Sequence, residues 1–179
     1  MRITDYPLWQ VIQDFQTDNP VSSLTFTQRL ARENDWKMSY AIRAVDEYKK
    51  FIYLICVAPH PLTPSDQVDQ VWHLHMLYTQ SYWKDFCERT LKREIHHGPT
   101  KGGKQEAEKF NDWYARTLEM YRAVFLSEPP ADIWPHPAKR FSDVHYKRIN
   151  VRTNWIIPKP VWLLLLINSI TTKIHKKIM

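Results

Sequence analysis

The sequence predicts an all-α protein, a compact bundle of about five helices with a short extended basic C-terminal arm. Two observations carry that prediction. Only three glycines occur in 179 residues, Gly98, Gly102 and Gly103, all in one short segment, whereas a turn-rich β fold needs many. Apolar residues recur at helical spacing over long stretches, and strict alternation is confined to one short segment near the C-terminus. With 44% hydrophobic and 13% aromatic residues, the chain can build one substantial core.

Asp5 to Phe15 reads as a short helix, with Pro7 in its first turn and Leu8, Val11, Ile12 and Phe15 on one face. "TDNPVSS" breaks it, and a second short helix follows around Thr25 to Asn34. Ser39 to Val57 has apolar residues at helical spacing, and its second half, "FIYLICVA", is apolar on every side, which places it at the centre of the core. After "PHPLTP", Thr63 is the expected N-cap of the next helix, with Pro64 in its first position and Asp66 three residues on. From Pro64 to Leu91 the pattern allows one long helix, or two that meet near Tyr78 to Gln80. "KREIHHGPTKGGKQ" is a loop. Glu106 to Leu126 is the clearest amphipathic helix, with Phe110, Trp113, Tyr114, Leu118, Tyr121, Val124 and Phe125 in one stripe. "SEPPADIWPHP" stops it, because proline lacks the donor a helix interior needs. "RINVRTNWIIP" alternates and fits a strand or an extended arm.

Three segments follow: a helical domain over 1–138, a basic arm over 139–160, and an apolar and basic segment over 161–179. Charge separates the first from the rest. Of the net +6, the last 41 residues carry nine Lys or Arg against Asp143, while the first 138 carry 16 basic and 18 acidic residues. Such a basic end favours anionic partners, a membrane surface or nucleic acid. Tyr146 and Trp155 among its cations could stack on bases, although no nucleic-acid-binding motif accompanies them. The ten residues from Val161 to Ile170 are too few to span about 20 positions of bilayer; they fit a core helix packing back on the domain, a membrane interface with Trp162, Leu163 and Leu164 and Lys173, Lys176 and Lys177 as anchors, or the start of a transmembrane segment. Cys56 and Cys87 lack the C-x-x-C spacing of a zinc or redox pair and read as thiols in a reducing compartment. "MRITDYPLWQ" has no apolar core of signal-peptide length, so a cytoplasmic location is expected.

Chemistry concentrates in "VDQVWHLHMLYTQSY", residues 68–82. On a helix, residues two apart point about 200° apart, so His73 and His75 cannot grip one ion. Asp69 and His73, at i and i+4, share a face, while Trp72 is expected with His75 and Met76 on another. The Asp–His pair is either a two-donor metal half-site or a hydrogen bond that satisfies both partners. A metal site needs at least a third donor, with His96, His97 and Cys87 available. No nucleophile signature and no H-E-x-x-H accompanies the pair. "GPTKGGKQ" imitates a phosphate loop, but Gln105 stands where Ser or Thr is needed and no strand precedes it. A weaker anion site remains at Lys101, Gly103 and Lys104, at the start of the next helix.

"TPSDQVDQVWHLHMLYTQSYWKDFC", "IHHGPTKGG" and "YARTLEMYRAVFLSEPPADIWP", in that order, resemble the bacterial glycine-rich-domain-containing proteins. These are related to plant proteins of similar name that share a D-x-x-W-H-x-H element. The resemblance covers roughly residues 23–160. It implies an all-helical domain without established catalytic residues. It also implies that Asp69, Trp72, His73, His75, His96 and His97 form one linked polar cluster. In many bacterial members an "IPKP"-like element, here Ile157 to Pro160, leads into a hydrophobic stretch and then a glycine-rich tail, and that tail has no counterpart here.

The expectation is therefore a non-enzymatic helical module in which Asp69, His73 and His97 bind a divalent metal such as zinc, or form a hydrogen-bond network. His75, His96 and Cys87 are the lesser donors. The basic end would contact an anionic membrane or a protein partner. The alternatives are a metal-dependent hydrolase built on the same three residues, and single-stranded nucleic-acid binding by the arm.

Overall fold

A computed structural model describes residues 7–98, 104–140, 149 and 152–157, with the side chains of 104–111 outside that description. The chain divides into two units, Met1–Asp143 and Val144–Met179. The first is all-α. Its described elements are α1 (Pro7–Asp14), α2 (Phe26–Asn34), α3 (Met38–Val57), α4 (Asp66–Leu77), a π-helix (Gln80–Leu91), α5 (Lys104–Phe125) and the single turn α6 (Pro137–Arg140). In the second unit the described residues form a turn at 152–153 and irregular backbone through Ile157. The strand alternative for this segment is thus not realised among them, and its remaining residues lie outside the description. The membrane-contact candidates Trp162, Leu163, Leu164, Lys173, Lys176 and Lys177 also lie outside the described residues. No helix among the described residues is long and apolar enough to cross a membrane.

The core is organised on α3, which packs against α1, α2, α4 and α5. Its first half offers Ala41 and Ala44, whose small side chains let neighbouring helices approach. In its second half Phe51, Ile52, Tyr53 and Leu54 are buried on every side, whereas Ile55 and Cys56 are half-buried and Val57 is exposed, so the all-round burial expected of this segment holds for its first turn only. On α1 the buried residues are Trp9 and Ile12, while Val11 is exposed. Trp9 rather than Val11 faces inward because its ring meets Tyr53 and Phe125 edge-on. Thr25 and Gln28 close a reciprocal capping box at the start of α2.

The region from 64 to 91 forms two helices, not one. α4 ends at Leu77, and the next segment winds as a π-helix. Its buried residues are Tyr82, Phe86, Cys87 and Leu91. In an α-helix, nine residues make about two and a half turns, so Tyr82 and Leu91 would face opposite ways. The wider π turn brings both to the core. Thr90 supports the wide turn by donating its hydroxyl to the Asp85 carbonyl five residues back.

The cap of α4 also departs from expectation. Ser65, not Thr63, is the N-cap, and its hydroxyl accepts from the Val68 amide. Thr63 is held elsewhere: its backbone N–H donates to Thr117 Oγ1, which donates back to the Thr63 carbonyl. The Thr63 hydroxyl is buried and has no partner among the described residues.

Glu47 adds a polar tie inside the apolar frame. Its buried carboxylate accepts from Lys50 Nζ at 2.8 Å, from the Tyr121 hydroxyl at 3.2 Å and from Trp134 Nε1 at 2.8 Å. It joins α3 to α5 and to the turn after α5, and three donors compensate its desolvation.

The cap assignment predicts a contrast in urea unfolding. Ser65→Ala lowers stability by about 1 kcal/mol, the usual loss for an N-cap oxygen. Thr63→Val, which removes a buried hydroxyl without a partner, leaves stability unchanged or raises it.

Candidate functional site

The site begins with α4. Asp69, Trp72 and His73 lie at i, i+3 and i+4, and the helical period places all three on one side. Trp72 lies three residues from both Asp69 and His75, about 60° short of a full turn in each case; its ring meets His97 of the cluster edge-on, and its indole bonds Tyr82, whose ring also meets His75. Asp69 sits in the first turn of α4, where the helix dipole favours a carboxylate.

The partner segment comes from beyond the π-helix. Lys92, with φ of 56°, ends that helix and reverses the chain, and Arg93 N–H bonds back to the Cys87 carbonyl. Arg93 Nη1 also donates to the Cys56 carbonyl in the last turn of α3. Ile95 is buried, His96 exposed and His97 largely buried. This inward, outward, inward order is the alternation of extended backbone.

His97 reaches Asp69. Its Nε2 lies 2.7 Å from Asp69 Oδ1, and His73 Nε2 lies 3.8 Å from Asp69 Oδ2. A carboxylate only accepts, so His97 Nε2 carries the proton of the short bond. The two imidazole rings are 4.6 Å apart, and the Trp72 ring stands edge-on to His97 at the same distance. One donor atom from each of Asp69, His73 and His97 lies within 4.8 Å of the other two. The side chains of Asp69 and His97 are 18% and 17% exposed, and that of His73 is 49% exposed. The cluster is thus backed by protein on one side and open to solvent at His73. Two clefts among the described residues, of about 370 and 300 Å³, lie away from the cluster, one around Trp36, Tyr40 and Arg43, the other around Trp9, Arg43 and Glu47.

The lesser candidates lie elsewhere. His75 is fully buried, ringed by Phe15, Phe26, Tyr48, Tyr82 and Phe86. Its Nδ1 bonds the Tyr48 hydroxyl at 2.9 Å and its Nε2 the Ser81 hydroxyl at 3.1 Å, so both ring nitrogens are in use. Burial pushes its pKa down to about 4, and it is a neutral core residue. His96 pairs with Glu94 on the surface and rests on the Trp83 ring. Cys87 is buried, and burial pushes its thiol up, which disfavours the thiolate a metal needs. The single cluster of six expected residues is therefore Asp69, Trp72, His73 and His97, with His75 and His96 outside it. Of the anion-site candidates, Lys101 and Gly103 lie outside the described residues, and Lys104 is described only as the start of the α5 backbone.

The UCP032817-like family model matches residues 10–119, more than half of the chain. The chain belongs to the UCP032817-like family. The family segment holds all three donors, Trp72, and the residues that position them. No curated protein and no solved structure matches the chain.

One residue that the sequence marks as an apolar position also supports the site through its hydroxyl. Tyr82 accepts from the Trp72 indole N–H at 2.8 Å and donates to the Ile95 carbonyl, two residues before His97. Its spacing from Phe86, Cys87 and Leu91 marks it as a core residue, and nothing in that spacing distinguishes a core phenyl from a bonded phenol.

His75 sets a pH dependence. Its folded-state pKa lies below its unfolded value of about 6.5, so the unfolded chain binds the extra proton first. Its contribution is fully present above about pH 6.5 and is lost as pH falls towards 4. Across that window the expected loss is about 3 kcal/mol. Urea midpoints measured between pH 7 and pH 4 should fall accordingly, and a His75→Gln variant should flatten this part of the profile.

Proposed function

We propose that this protein is a non-enzymatic helical module in which Asp69, His73 and His97 hold a divalent transition-metal ion, with zinc the first candidate. The observation that carries this is the convergence of three donor atoms from two separate elements to within 4.8 Å of one another. Two imidazoles and a carboxylate are a donor set for zinc at bond lengths of about 2.0–2.2 Å, and the same set suits ferrous iron.

For His97 Nε2 to hold an ion, the proton it shares with Asp69 would have to leave that nitrogen, and the ring would carry its proton on Nδ1 instead. Three protein donors leave a further position to water or to a donor from a partner. The charge split supports a second element of the proposal, contact of the basic segment 139–177 with an anionic membrane surface. The resemblance to glycine-rich-domain-containing proteins belongs to the same reading.

Elemental analysis of the purified full chain should find close to one zinc or iron per molecule. In metal-free protein, His73→Ala should cost under about 0.5 kcal/mol, since His73 is half exposed and makes a long contact to Asp69 and a ring contact to His97. The same change should abolish the rise in unfolding midpoint that added zinc gives the wild type. No bound metal, and no such rise, would leave Asp69–His97 as a hydrogen-bond pair alone. Vesicles containing phosphatidylserine should retain the chain at low salt and release it as salt increases.

A further inference from the structure

The proposed ion site depends on where His97 stands, and His97 is carried by a segment without regular secondary structure. We infer that Tyr82 is the positioning residue that fixes His97, by bridging the Trp72 indole to the backbone of that segment. The geometry of the bridge stands on its own, and its link to metal affinity rests on the proposed function.

Three buried groups form the bridge. Trp72, Tyr82 and Ile95 are at most 5% exposed, so their polar atoms have little access to water. The Trp72 indole N–H is donor only and needs an acceptor, while the Ile95 carbonyl needs a donor. The Tyr82 hydroxyl supplies both, accepting from Trp72 Nε1 at 2.8 Å and donating to Ile95 O. Each partner lies on a different element: α4, the π-helix and the segment after it. A phenylalanine at 82 would fill the same space and leave both groups without that partner.

The bridge bears on His97 from two sides. Ile95 is two residues from His97, and a fixed carbonyl there sets the path of the extended backbone into the site. Trp72, held by its bond to Tyr82, also places its ring edge-on to the His97 ring at 4.6 Å. One hydroxyl therefore helps to fix both the backbone that carries the imidazole and the indole that packs against it. Groups that orient metal ligands in this indirect way typically alter affinity by about 10- to 100-fold when lost.

Tyr114 provides an internal control. It too is fully buried, and its hydroxyl donates to the Pro135 carbonyl at 2.7 Å, on residues that take no part in the Asp–His cluster. Tyr82→Phe and Tyr114→Phe remove the same atom from comparable surroundings.

Two measurements on the full chain test the inference. The first is Co²⁺ titration of metal-stripped wild type and both variants, followed by d–d absorption. The second is hydrogen exchange of residues 94–98 in the metal-free proteins. The expected result is that Tyr82→Phe weakens Co²⁺ binding by about 10- to 100-fold and Tyr114→Phe does not. Exchange at 94–98 should rise on the order of tenfold in Tyr82→Phe alone. If wild type binds no Co²⁺ but exchange rises only in Tyr82→Phe, the positioning role of Tyr82 stands and the metal reading falls. If wild type binds Co²⁺ and Tyr82→Phe matches it in affinity and exchange, the inference is overturned. Equal losses in both variants would also overturn it, since they would mark a general loss of stability. Should Tyr82→Phe not fold, Trp72→Phe removes the indole donor while leaving the phenol in place, and is read by the same two measurements.

Discussion

A buried indole N–H has to find an acceptor, and this requirement at Trp72 connects the core to the site. One side of the Trp72 ring meets Phe51, in the most deeply buried part of α3. The ring also meets His97. Its N–H is committed to Tyr82, and through Tyr82 to the backbone of Ile95. The donor group of one residue in α4 thus constrains an element that follows it by more than twenty residues. The half-open cluster inherits its order from this buried contact, and long surface side chains alone would not supply it.

The two histidines of α4 show how far two positions on a helix can separate chemical roles. His73 is open to water beside Asp69, and His75 is sealed among aromatic rings. No carboxylate among the described residues bonds His75. Its partners are two hydroxyls, which satisfy a neutral ring and do little to stabilise a charged one. Burial therefore decides its state, and the pKa falls. The same helix supplies a neutral hydrogen-bonding node to the core and a solvent-facing donor to the cluster. The side chain of His75 occupies the junction of α2, α3, the π-helix and the residue after α1, through Phe26, Tyr48, Phe86 and Phe15, so it is a packing residue as much as a polar one.

Much of this was legible because it depends on local period. Helical spacing identified the main helices, the buried turn of α3 from Phe51 to Leu54, the shared face of Asp69 and His73, and the separation of His73 from His75. What the sequence could not decide depends on distant partners. The sequence points to Thr63 as the cap of α4, but Thr117 engages Thr63 from 54 residues away, and Ser65 caps the helix instead. Glu47 looks like an ordinary surface acid until Tyr121 and Trp134 are brought to it from 74 and 87 residues away. His96 and His97 could not be separated by spacing to α4. Their difference follows from the burial of Ile95, which fixes the phase of an extended segment and turns the odd-numbered side chains inward. The π-helix is a similar case: buried residues at 82, 86, 87 and 91 fit no α-helical face, but that mismatch has meaning only once all four are known to be buried.

The cluster also bears on what an ion would do for the protein. In small zinc modules the ion supplies the folding energy, and the metal-free chain does not fold. Here the elements that carry the donors are themselves held by the main core. Asp69 and His73 are held by a regular helix, and His97 by Ile95, Tyr82 and Trp72, whose burial belongs to the main core. The proton shared between His97 and Asp69 occupies the gap between their donor atoms. Under the proposed reading, an ion competes with that proton for a site already assembled, and little ordering cost remains at the moment of binding. Its free energy would then add to stability by mass action and would not be required for the fold. A donor set built in this way, half open at His73, is suited to reversible occupancy or to accepting a further ligand from outside the chain.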